Sequence, residues 1–256
     1  MRTVICHYHI YKNSGTSFDA LLTENYGDKH ICFDGPFPFF SIDQEEFTKI
    51  IQRKNDKVAF SSHQVKLPVP VSLDFHVLPV VFVRHPLLRV LSIYNFKAQT
   101  YDGTTISKAA REMSFDEWIT YCFGNSQELT QISNSQTRIV GSAYRQKPLM
   151  RRMPMGMEYD IHQAIRNIDC VKLLARTEHF NEDVKRFPKI LCEYDIKFEF
   201  KDLAPKNVTS KSFDQSIEER IDGVKQLLSE VNYQKLLDAN MQDKRLLEHV
   251  SDLLEN

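Results

Sequence analysis

Residues 77 to 83, Val-Leu-Pro-Val-Val-Phe-Val, are all apolar and stop abruptly at Arg84-His85-Pro86. A run of this kind, with no alternation, describes a strand buried on both faces, and such a strand needs helices on both sides of its sheet. Pro86 suits the first turn of a helix, which Leu87, Leu88, Val90, Leu91, Ile93 and Tyr94 carry forward. Two earlier stretches repeat the order of strand, loop and helix. Thr3 to Ile10 is rich in β-branched and aromatic residues; beyond Lys12-Asn13-Ser14-Gly15-Thr16-Ser17, Phe18, Leu21 and Leu22 recur at helical spacing until Gly27. Lys57 to Ser61 reads as another buried strand, with Ser62-His63-Gln64 just past its end. Three such units predict an α/β fold with a mainly parallel central sheet flanked by helices. Ligands of such sheets bind beyond the carboxyl ends of the strands. Lys12, His63 and Arg84 all fall there.

Between these units, Lys29 to Phe33 is a short strand and Asp34 to Phe40 a Pro/Gly turn carrying Phe37, Phe39 and Phe40. Ser41-Ile42-Asp43 caps a helix running to about Asn55, with Phe47, Ile50 and Ile51 on one face. The second half is more helical. Thr100 to Met113 reads as a loop, Ser114 caps a short helix through Trp118, and Asn134 to Arg138 lies in a helix ending at Gly141. Gly141 to Met157 is a long basic, Met-rich loop, followed by a helix from Tyr159 to Ile168 and a strand from Cys170 to Ala175. A helix is expected from Thr177 to about Leu191, then a polar stretch from Lys201 to Ser212. The remainder is amphipathic helix with Ile217, Ile221, Val224, Leu227 and Leu228 in a stripe. Residues 1–256 are expected to form a single domain, with a core over 1–212 and a helical segment over 213–256.

The net charge of -1 supplies no global field toward nucleic acid or an acidic membrane, so any anion site must be local. Cys6, Cys32, Cys122, Cys170 and Cys192 are scattered without CxxC pairs, which predicts reduced thiols and neither a disulfide framework nor a zinc site. No apolar run reaches the length of a membrane span, and Met1 leads directly into the first strand; both predict a cytoplasmic protein. Asn207-Val208-Thr209 matches a glycosylation sequon by chance in that setting.

The turn from Lys12 to Ser17 has two readings. As a strand-to-helix turn it aims backbone N–H groups and the positive end of a helix dipole at one point, a nest for phosphate or sulfate. Alternatively it is an ordinary turn with a helix cap at Ser14 or Thr16. A metal-dependent P-loop enzyme would show GxxxxGK[ST] and a metal-holding aspartate after an apolar strand. Here the lysine precedes the glycine and the apolar strand ends in Arg84, which can bind a phosphate bidentately or simply cap the strand end. The anion is therefore expected to be held without a metal. Ser92, about two helical turns beyond Arg84, joins it as a candidate second phosphate ligand. His63 suits a general base for a hydroxyl acceptor, or is a structural histidine. His7 and His9 alternate along the first strand and read as buried or sheet-facing, and His85 as positional.

His9-Ile10-Tyr11-Lys12-Asn13-Ser14-Gly15-Thr16-Ser17 resembles the 5′-phosphosulfate loop of sulfotransferases that use 3′-phosphoadenosine 5′-phosphosulfate (PAPS), whose carbohydrate-modifying members carry HIPKTGGTS-like sequences. Val81 to Tyr94 resembles their 3′-phosphate segment, typically VRDPVERLLSAY. Weaker likenesses are Ser62-His63 to the GH segment that supplies the base in heparan-sulfate-type members, Asn134 to Arg138 to an N-x-QTR helix, Leu174 to Phe180 to a G-x-TE-x-F segment, and Asn207-Val208-Thr209 to a late NxS/T segment. Tyr11 stands where the family has proline, Asn13-Ser14 where it has Thr-Gly, His85 where it has aspartate, and Ser62 where it has glycine; these departures imply a distant, microbial member.

The resemblance implies a P-loop-like three-layer fold and in-line transfer of a sulfuryl group from PAPS to a hydroxyl, on a glycan or glycolipid by default. Lys12 and Asn13 with Ser14, Gly15, Thr16 and Ser17 would form the donor loop, Lys12 meeting the charge on the leaving phosphate. Arg84 and Ser92 would hold the 3′-phosphate, His63 would take the acceptor proton, and Lys206 or Lys211 would close over the nucleotide. The acceptor would approach between the Asp34 to Phe40 turn, the Thr100 to Met113 stretch and the Met-rich loop. Competing readings are an atypical P-loop kinase or NTPase, and a non-catalytic nucleotide-binding module.

Overall fold

The computed structural model describes residues 1–36, 41–100, 102–141, 161–201 and 215–255. Among these, the strands β1 (Arg2–Tyr8), β2 (His30–Cys32), β3 (Ala59–Ser62), β4 (Phe75–Val83) and β5 (Leu173–Arg176) form one sheet in the order β2-β3-β1-β4-β5. Every neighbouring pair is parallel. Cys6 pairs with Phe60 on one side and Pro79 on the other, which makes β1 the central strand. Every residue of β4 except His76 is buried, as its unbroken apolar sequence requires. Because the strands run the same way, β1, β3 and β4 end on one edge, at Tyr8, Ser62 and Val83.

The helices are α1 (Gly15–Tyr26), α2 (Gln44–Arg53), α3 (Pro86–Gln99), α4 (Thr105–Glu112), α5 (Phe115–Phe123), α6 (Ser126–Ile132), α7 (Ser135–Gly141), α8 (Ile161–Asp169), α9 (Phe180–Val184), α10 (Phe187–Cys192), α11 (Ile217–Gln226), α12 (Glu230–Ala239) and α13 (Met241–Glu255). Contacts divide the chain into two compact units. The first holds Met1–Val83, Gln136–Ala204 and Glu248–Asn256, and the second Arg84–Ser135 and Pro205–Leu247.

The first unit contains the sheet. On one face Ile5, Leu78, Val80, Phe82 and Leu173 meet Phe18, Leu21 and Leu22 of α1 and Val184, Phe187 and Leu191 of α9 and α10. Each such side chain contributes roughly 1.5–3 kcal/mol on burial. Against β3, Phe47 of α2 packs with its ring 6.1 Å from Phe60 and 5.8 Å from Phe33. Asp43 and Glu46 close a capping box at the start of α2, as the sequence predicts. Gly27, at φ 55°, ends α1.

The second unit is helical around Trp118, whose ring lies 5.5 Å from Tyr94 and 6.3 Å from Phe115. Asp116 of α5 accepts from the Ser229 hydroxyl at 2.9 Å and from Asn232 Nδ2 at 2.8 Å, joining α5 to α12.

Three expectations are corrected. Thr100 to Met113 is not a loop: Thr104 caps α4, whose Ile106, Ala109 and Ala110 are buried at helical spacing. Thr177 to Leu191 is a 3₁₀ turn followed by α9 and α10, with Pro188 at the start of the last. The C-terminal segment is α11, α12 and α13, divided at Ser229 and Asn240, and of its expected stripe only Val224 is buried while Leu227 is 51% exposed. Among the described residues no helix is long and apolar enough to cross a membrane. Phe37 to Phe40, Ser142 to Asp160 and Asp202 to Asp214 lie outside them.

Candidate active site

Between the end of β1 and the start of α1 the backbone doubles back at two residues that are not glycine. Lys12 has φ 66° and Ser14 φ 59°, both left-handed. That conformation costs an L-residue about 1–2 kcal/mol, and strain of this kind persists only where the surroundings impose it. Asn13 supplies the restraint. It is 1% exposed, its Nδ2 donates at 2.7 Å to both Phe82 O and Gln136 Oε1, and its N–H donates to Ile10 O at 3.1 Å. The Asn13 side chain and amide are thus directed into the protein, where they anchor the turn.

Ser17 N–H bonds back to Ser14 O at 3.0 Å, leaving Ser14, Gly15 and Thr16 as the amides that open α1 without an intrahelical carbonyl. Ser14 occupies the cap position but its hydroxyl makes no capping hydrogen bond. Lys12 is half-buried, with its ammonium 5.9 Å from the Tyr11 ring centroid.

Gly15 is required by proximity. A Cβ there would come within 1.9 Å of His9 Nε2 and 2.0 Å of His9 Cδ2. The His9 imidazole therefore lies directly against the first residue of α1. It is fixed there by Asp19, one turn along the helix, whose Oδ2 is 3.0 Å from His9 Nδ1 while Oδ1 is 2.7 Å from His7 Nδ1. Burial alone would raise the Asp19 carboxyl, but hydrogen bonds from the two imidazoles and Ser61 outweigh it and hold Asp19 well below the usual carboxylate range. His7 is fully buried, edge-on to Phe18 and Phe82, and burial pushes it down to about 4 in spite of Asp19. At neutral pH the core of the cluster is an ionised carboxylate accepting from Nδ1–H of a neutral His7.

His63 follows β3 directly and is exposed, but its ring packs on His9 at 3.9 Å between centroids. Its Nδ1 lies 2.9 Å from His9 O, and because a carbonyl only accepts, the proton is on Nδ1 and the lone pair on Nε2. Desolvation of the packed ring and the neighbouring His9 lower the His63 pKa from the ordinary value, opposed by Asp34. Asp34 holds the segment in place, accepting from His63 N–H at 3.0 Å and Ser62 Oγ at 2.8 Å. Lys66 Nζ donates to His63 O at 3.2 Å, and burial pushes its pKa down to about 8.

The first unit thus brings Lys12 to Ser17 and His63 together around His9. Arg84 and Ser92 belong to the second unit: Arg84 follows the last residue of β4, and Ser92 lies within α3, both half-buried. Phe37, Phe39, Phe40, the bulk of the Met-rich loop, Asn207 to Thr209, Lys206 and Lys211 lie outside the described residues.

Two groups offer metal-ligand atoms within 4.8 Å of one another: His7, His9 and Asp19, and Asp19, His30 and Cys32. In the first, the 2.7 and 3.0 Å separations are those of hydrogen bonds, shorter than the roughly 3.3 Å between ligands of a tetrahedral zinc. The Asp19 carboxylate is already shared between the imidazoles, each of its oxygens meeting one Nδ1.

Sequence pattern singles out neither Asp19 nor Asp34, and marks His9 only as buried or sheet-facing. A signal exists for the first. His7 and His9 share one strand face, and Asp19 is the only acid in the helix facing them across the turn until Glu24. Asp34 leaves none, since nothing in a Pro/Gly turn says which strand end it will reach.

The sulfotransferase family model matches residues 2–247. An uncharacterized protein of Archaeoglobus fulgidus is 25% identical over 261 residues, covering 98% of this chain and 97% of that one.

Proposed function

The chain belongs to the sulfotransferase family, and on that premise we propose that it moves a sulfuryl group from PAPS to a hydroxyl of a carbohydrate acceptor, a glycan or glycolipid. The amides of Ser14, Gly15 and Thr16 bind the 5′-phosphate. Asn13 contributes by holding the turn, and Ser17 through its hydroxyl. Lys12 meets the negative charge that grows on the leaving phosphate oxygen, an interaction worth about 10²–10³-fold in turnover. Arg84 and Ser92 take the 3′-phosphate. His63 Nε2 accepts the acceptor proton as the hydroxyl oxygen attacks sulfur. The S–O bond to the phosphate breaks, and its electrons leave on the phosphate oxygen. Cations and amides carry the donor's charge in this scheme, with no metal assigned a role. Residues 1–256 act as one sulfotransferase domain.

The observation that best supports this reading is the strained, Asn13-anchored turn with a histidine beside it whose lone pair is free at Nε2. The test is incubation with PAPS carrying radiolabelled sulfate and a panel of polysaccharides and oligosaccharides. Label is expected in an acceptor, with one 3′-phosphoadenosine 5′-phosphate released per sulfate moved. Absence of transfer to every acceptor, with intact donor recovered, would overturn it.

A further inference from the structure

We propose that Asp19 and His9 are positioning residues for His63, so that proton transfer is served by a chain of three side chains, Asp19, His9 and His63. This rests on the reading of His63 as the base. Each link is geometric. Asp19 Oδ2 accepts from His9 Nδ1 at 3.0 Å, which orients the His9 ring. Gly15 leaves the space that this orientation needs, since any Cβ would overlap the ring. The oriented ring packs on His63 at 3.9 Å, tilted by 38°, and the carbonyl of the same residue accepts from His63 Nδ1 at 2.9 Å. His9 thus restrains His63 twice, its face limiting how the ring can turn and its carbonyl keeping the proton on Nδ1 and the lone pair on Nε2.

The groups that face His63 are His9 just after β1, Asp34 from the segment after β2 and Lys66 from its own loop, with Asp19 behind His9 on α1. When His63 takes the acceptor proton it becomes a cation; desolvation of the ring and the neighbouring His9 oppose that form, and the Asp34 and Asp19 carboxylates offset part of the opposition. His7, accepted by the other oxygen of Asp19, is sealed in the core and remains neutral, so it adds no opposing charge at neutral pH.

Asp19→Asn tests the chain sharply, because an amide has one acceptor oxygen and one NH₂ group. It cannot accept from Nδ1–H of both His7 and His9, so one imidazole must change tautomer. In the full-length protein labelled with ¹⁵N-histidine, long-range ¹H–¹⁵N correlation spectra report the tautomer of every histidine. His63 is expected as Nδ1–H in the wild type and as a mixture in Asp19→Asn and His9→Gln. With PAPS and an acceptor, Asp19→Asn is expected to lower kcat by about 10²-fold and to shift the acid limb of its pH profile, leaving KM for PAPS within about twofold. A wild-type His63 protonated on Nε2 overturns the proposal, as does an unchanged kcat and pH profile in a folded Asp19→Asn protein. The wild-type spectrum is decisive even where the variants fail to fold. Correct tautomers with no sulfate transfer in the wild type would sink the proposed function and leave the positioning geometry standing.

Discussion

The turn after β1 and the segment after β3 reach the same edge of the sheet and are held there by opposite means. The turn is anchored from the protein interior: Asn13 is buried and bonded to β4 and α7, and Asp19 of α1 bonds to the buried His7 of β1. The His63 segment is anchored at the surface through the exposed Asp34, and through the face and carbonyl of His9. The difference follows from what each is proposed to do. A nest of amides must be rigid to present several N–H groups to one anion, and two left-handed residues need buried partners to hold them. A base must meet solvent and substrate, so its restraint has to leave Nε2 uncovered.

Perturbing each side gives a different signature. The largest effect expected is from Lys12→Ala, which should reduce turnover by about 10²–10³-fold. Its unfolding midpoint in urea should fall far less than its turnover. Equal turnover in the variant would remove Lys12 from the chemistry.

The next effect is on the foundation of the turn and takes the form of acid sensitivity. His7 titrates near 4 in the folded protein against an ordinary 6.5. Below 6.5 the unfolded chain gains a proton that the folded chain refuses, so stability falls as pH drops from about 6.5 to about 4, by an upper bound of about 3 kcal/mol. Asp19 adds to the loss lower down, because its depressed carboxyl contributes its full stability above its unfolded value, near 4, and loses it progressively below. Urea unfolding at pH 7 and pH 4.5 should therefore show a steeper loss for wild type than for His7→Asn. Parallel losses would show that the buried histidine is not the acid-sensitive element.

The same contrast explains what is legible in the sequence. The strand-turn-helix around Gly15 and the apolar strand running into Pro86 are local patterns, and both elements lie where the periodicity puts them. Helix α4 is hidden because its buried side, Ile106, Ala109 and Ala110, is mostly small, and small residues give little hydrophobic contrast. Periodicity overextends the helix beyond Glu178 because apolar spacing continues through Pro188 while the backbone does not. In the candidate site, Lys12, Gly15 and His63 are conspicuous as residue types in their positions. Asp34 acts only once two distant strand ends are paired, and Asp19 only once a helix is laid against its own preceding strand; periodicity states neither. Asn13 counts as a loop ligand by position, but folding turns it inward.

The most direct measurement compares two ligands by their effect on thermal unfolding. One is 3′-phosphoadenosine 5′-phosphate without added metal, and the other is ADP with Mg²⁺. At 100 times its Kd, a ligand bound only by the folded chain adds about 2.7 kcal/mol of stability. The proposed donor site predicts stabilisation of that order by the 3′-phosphorylated ligand at concentrations where ADP with Mg²⁺ has little effect, and loss of the preference in Arg84→Ala. Equal stabilisation by the two ligands would contradict it.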